Sequence, residues 1–135
     1  MDGASDMHSF ASLIHELAHV RFESFMKVNI DQIATKFPTT YIKKGLNGRY
    51  QFREDLYNYL TERFAHESEF QTVSSFNTNN YFTQIAEKWK AVADKKPVEI
   101  RNQIASHVRN SYEIDDPLIA NLDDRSLSDI LLNGM

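Results

Sequence analysis

Apolar residues recur at helical spacing through the first third of the chain. Phe10, Leu13, Leu17, Val20 and Ser24 make one line, and Ile14, Phe22, Phe25, Ile30 and Ile33 make a second beside it. Two adjoining apolar lines predict a helix from Ser9 to about Phe37 that is covered over a wide face, as the central helix of a bundle is. Pro38 closes it, because a proline disfavours the α conformation of the residue before it. With 135 residues, one domain can bury about two-thirds of its unfolded surface. The expected fold class is therefore all-α, an up-and-down helical bundle of four main helices plus a short C-terminal helix. A single domain spans 1–135, with 1–7 read as a disordered leader and 113–135 as an acidic tail holding the short helix.

The remaining elements follow from punctuation and period. Residues 39–51 carry Gly45, Asn47 and Gly48 and read as a loop, with no β-hairpin expected. A second helix is predicted over Phe52–His66, with Phe52, Leu56, Tyr59, Leu60 and Phe64 inward, then a polar linker from Glu67 to Thr78. Asn79 or Asn80 caps a third helix, whose inner face is Phe82, Ile85, Ala86, Trp89 and Val92. Asp94-Lys95-Lys96-Pro97 turns it into a fourth, which Pro97 suits as a first-turn residue. Ser126 to Asn133 closes the chain as a short helix ended by Gly134. Trp89, Phe64, Leu60, Leu17, Ile85 and Ile104 are the expected core.

The chain has no Cys, so disulfides and thiolate metal sites are excluded and the lean is cytoplasmic. No apolar run is long enough to span a bilayer, and an N-terminus with Asp2 and Asp6 and no basic segment is not expected to be a signal peptide. Net charge is -4 but uneven. Lys36, Lys43, Lys44, Arg49 and Arg53 occur without an intervening acid, whereas Glu113, Asp115, Asp116, Asp123, Asp124 and Asp129 face only Arg125. An anion-facing edge and an acidic tail, or simply two solvated segments, follow from that distribution.

Chemistry is concentrated in Pro97 to Asn110. Ile100, Ile104 and Val108 form an apolar stripe, and Arg101 and His107 lie off it. A permanent guanidinium charge beside an imidazole can hold a phosphate and move protons around it. Arg101-Asn102-Gln103-Ile104-Ala105-Ser106-His107 places His after Arg with a gap of five residues, the first of them Asn102. This resembles the signature of the HEPN superfamily of helical ribonuclease domains, and Val20 to Lys27 is similar to the first helix of several HEPN families. The family's usual run puts His directly after Ala, where Ser106 intervenes here.

The resemblance implies a metal-independent endoribonuclease, possible in a defence or toxin-antitoxin system, that needs no cofactor. His107 would be the acid or base, Arg101 the stabiliser of transition-state charge and Asn102 an orienting group, with Lys43, Lys44, Arg49 and Arg109 gathering RNA. Arg101 and His107 are about 9 Å apart along a regular helix, so two copies in a homodimer would complete one site. RNA, a second copy, and an antitoxin or other protein are the implied partners, with no membrane. A catalytically silent HEPN-like domain that binds RNA or a protein is an alternative.

A constellation of another kind lies in the first helix. His15-Glu16-Leu17-Ala18-His19 matches the His-Glu-x-x-His pattern, in which two His four apart share one Zn²⁺. No third His at the metzincin spacing follows, and no edge strand is expected beside it. The alternative is a helical metal-binding protein in which Glu23, Glu62, His66 or Glu69 joins His15 and His19, since bundles build such sites from facing helices.

Overall fold

The computed structural model describes residues 3–74 and 97–135, and it is mostly helical. Helix α1 spans Gly3–Ala34, starting six positions before the expected Ser9. After a 3-10 turn at Thr39–Tyr41 come two short strands, β1 (Ile42–Lys44) and β2 (Tyr50–Phe52), paired antiparallel with Ile42 opposite Phe52 and Lys44 opposite Tyr50. Helix α2 spans Glu54–Ser74, α3 Pro97–Ser111, α4 Pro117–Ala120 and α5 Leu127–Asn133. The expected third helix, with Trp89 and Ile85, lies outside the described residues. No helix among the described residues is long and apolar enough to cross a membrane.

Three expectations are corrected. The loop at 39–51 contains a hairpin whose turn runs from Gly45 to Gly48, closed by the Gly48 N–H on the Gly45 carbonyl at 3.0 Å, with Gly48 at φ 78°; glycine enters that left-handed region without the clash a Cβ would bring. Helix α2 runs past His66 to Ser74, so residues 67–74 are helix and not a linker. On α1 the buried line is Ala18, Phe22, Met26, Ile30 and Ile33, whereas Leu13, Leu17, Val20 and Phe25 are exposed, Leu17 by 49%. Periodicity allows either line to face inward, and the small Ala18 lets α2 lie close to the second. Leu60 and Ile104 are buried as expected, and Phe64 is partly buried against the core.

Helices α1 and α2 are antiparallel, since His19 meets Thr61 while the earlier His15 meets the later Glu69. Helix α3 packs on α2 through Ala105 and Val108, both fully buried. Behind α2 the C-terminal segment is held by a buried charge. Arg63 is 0% exposed and donates to Tyr59 Oη at 3.2 Å, to the carbonyls of Leu122 and Arg125 at 3.0 and 2.9 Å, and to Glu67 at 3.0 Å. Tyr59 Oη donates in turn to Asp123 at 2.8 Å, and burial pushes its phenol well above the ordinary value.

Ser126 caps α5 by accepting the Asp129 N–H at 3.1 Å, and Gly134 ends the helix at φ 75°. A Cβ there would overlap the Lys36 carbonyl. With ψ at -161°, the backbone sits in a region that only glycine enters freely, a cost of about 1 to 3 kcal/mol for other residues. Gly134→Ala is therefore expected to lower the melting temperature by several degrees, measured by circular dichroism. A variant as stable as the original would show that the C-terminus is not seated on Lys36.

Candidate metal centre

Helical spacing sets two groups of side chains opposite each other. On α1, His15 and His19 are four apart and share a face; on α2, Glu62, His66 and Glu69 follow at four and then three residues and also share a face. Because the helices are antiparallel, the two faces meet, with these side chains only 12% to 25% exposed.

The imidazoles are ordered by what holds their Nδ1 atoms. His19 Nδ1 is 2.8 Å from Thr61 Oγ1, while His15 Nδ1 and His66 Nδ1 both meet Glu69 Oε2, at 3.2 and 3.3 Å. A carboxylate only accepts, so those two rings donate from Nδ1 and a neutral ring then carries a bare lone pair at Nε2. Burial favours the neutral Glu69 carboxyl, but the hydrogen bonds from His66 and His15 outweigh it and hold the group below its ordinary value.

All three Nε2 atoms turn to Glu62. His19 Nε2 is 3.0 Å from Glu62 Oε1, His15 Nε2 is 3.3 Å from Oε2, and His66 Nε2 is 3.7 Å from Oε2. His15 Nε2 and His19 Nε2 are themselves 3.0 Å apart. Tyr112, just past the end of α3, has its phenol pushed up to about 12 by burial and then by the neighbouring Glu62 carboxylate.

The expected ribonuclease residues are distributed differently. His107 is exposed and its ring lies edge-on to His66, at 5.4 Å between centroids and 83° between planes. Arg101 points about 120° away around α3, donating to the Asp124 carbonyl at 3.3 Å. Asn102 sits next to it, half-buried, with Oδ1 unpartnered among the described residues. Arg109 pairs with Asp123 at 2.6 Å. Lys43, Lys44 and Arg49 stand exposed on the hairpin, where Arg49 donates to the Lys27 carbonyl at 3.3 Å. Lys27 is about 18 Å along α1 from His15. One chain thus brings His107 to the histidine cluster and does not bring it to Arg101.

Of the residues considered as partners for His15 and His19, Glu62, His66 and Glu69 are there, while Glu23 pairs with Lys27 at 3.3 Å. Glu16 is exposed. Sequence reasoning missed Thr61 and Tyr112, which carry no local signal for a role that depends on a neighbouring helix. Neither family models, curated proteins nor solved structures gave a match to this chain.

Proposed function

We propose that this chain is a helical metal-binding protein whose ion is held by His15 Nε2, His19 Nε2 and Glu62. The observation that carries the reading is the convergence of three imidazole Nε2 atoms on one carboxylate. The His15 lone pair faces an anion there, and a divalent cation among these atoms satisfies every group at once. The two nitrogens are 3.0 Å apart, and His19 and His15 lie 3.0 and 3.3 Å from Glu62 Oε1 and Oε2 respectively, close to the edges, about 3.0 to 3.5 Å, of a coordination shell with bonds of about 2.0 to 2.1 Å once one carboxylate oxygen turns to the ion. Thr61 and Glu69 supply the outer hydrogen bonds that fix ligand orientation. Nitrogen-rich ligation without thiolate favours Zn²⁺, Co²⁺, Ni²⁺, Cu²⁺ or Fe²⁺ over Mg²⁺ and Ca²⁺. The up-and-down bundle of four main helices belongs to the same reading, supported by the antiparallel packing of α1 on α2.

A second triad of His15, His66 and Glu69 shares His15 with the first, so the decisive variant is His19→Ala. Zinc titration is expected to show a loss of affinity of a hundredfold or more in His19→Ala and in Glu62→Gln, whereas wild-type affinity in His19→Ala would place the ion at Glu69.

The metal-free ribonuclease reading keeps the Arg101-Asn102 and His107 motif, supported by the exposure of His107. Its test is RNA cleavage in EDTA. The metal reading expects none; cleavage that survives EDTA and falls about a hundredfold in Arg101→Ala and in His107→Ala would restore the ribonuclease.

A further inference from the structure

His66 stands outside the three-ligand set and is built like a member of it. One oxygen, Glu69 Oε2, holds both His66 Nδ1 and His15 Nδ1, so the two rings present their Nε2 atoms in the same sense. Their centroids are 4.9 Å apart. The His107 ring from α3 lies edge-on to that of His66. Between Glu69 on one nitrogen and Glu62 on the other, a neutral imidazole has only one N–H to give, and it is committed to Glu69. The Nε2 lone pair therefore faces Glu62 Oε2 at 3.7 Å and meets the same repulsion that the ion relieves for His15.

Building on the metal reading, we infer that His66 Nε2 is the fourth ligand, closing a tetrahedral shell of three imidazoles and one carboxylate. The 3.7 Å edge is longer than the others, so the His66 ring swings inward when the ion enters. Glu69 is a positioning residue: it touches no ion and sets which nitrogen of His15 and His66 is free to bind. A shell filled by the protein has no open place for a substrate or for an activated water, which makes the ion a structural or stored one. The ligand class is a divalent ion that accepts tetrahedral nitrogen and oxygen ligands, with zinc foremost and cobalt its spectroscopic substitute.

The experiment is the visible spectrum of the full chain loaded with Co²⁺. Unmodified protein is expected to give the intense bands of tetrahedral cobalt. In His66→Ala they should weaken as water enters and the coordination number rises, and added imidazole should restore them. Glu69→Gln should keep the tetrahedral bands while cobalt affinity falls about tenfold or more, a readout that remains informative if His66→Ala does not fold. Tetrahedral bands unchanged in His66→Ala, weak bands in the unmodified protein, or wild-type affinity in Glu69→Gln would each overturn the fourth-ligand assignment while leaving a metal site in place. No cobalt binding by the unmodified chain would remove the metal reading and this one with it.

Discussion

Free zinc at a thousandfold excess over its dissociation constant is expected to stabilise the folded chain by about 4 kcal/mol, because it binds the native state and not the unfolded one. EDTA should reverse the gain. An ion at the proposed site would join side chains of α1 and α2, the helix pair with the most extensive packing among the described elements, so its free energy of binding would add directly to that of folding. His15→Ala should abolish the zinc-dependent part of the melting curve, since His15 belongs to both ligand triads. Scanning calorimetry with zinc and with EDTA decides it. An equal zinc shift in His15→Ala would mean that the ion sits elsewhere.

Arg63→Met is expected to be the most damaging single change to the fold, costing about 3 to 5 kcal/mol, the range seen when one partner of a buried charged network is removed. The guanidinium is fully buried, and its loss strands the Leu122 and Arg125 carbonyls and removes a donor from Tyr59. The Leu122 carbonyl is buried and would be left without a partner, so methionine's similar volume does not compensate. Urea unfolding measures the loss. As a control, Lys43→Met on the exposed hairpin should change stability by less than about 0.5 kcal/mol. Equal midpoints for the two variants would show that the Arg63 network contributes nothing net.

Local cues in the sequence located the elements whose signals are local. Pro97 opens α3, and Ser126 and Gly134 bracket α5, because caps and breakers act within a turn of where they stand. The buried face of α1 was not legible: Leu13, Leu17 and Val20 have the same period as Phe22, Ile30 and Ile33, and the choice depends on what packs against them. The end of α2 was misread for a more instructive reason. Glu67 and Glu69 gave the stretch a polar, linker-like composition, but Glu67 pairs with the buried Arg63 and Glu69 orders two imidazoles. Polarity there reflects partners supplied by other segments. The spacing of Glu62, His66 and Glu69 was visible, and the facing of that row by His15 and His19 was not, since the antiparallel register is set by core packing.

The antiparallel register also orders events in time. His19 and Glu62 are 43 positions apart, so in an unfolded chain an ion can find the neighbouring His15 and His19 but pays the entropy of closing a long loop to reach Glu62. Small zinc domains whose ligands are close in sequence can be nucleated by their metal; here the helix pair must meet first. An ion at the proposed site is then expected to arrive late, leaving the rate of folding nearly untouched and slowing escape from the folded state, as a latch on a door already shut.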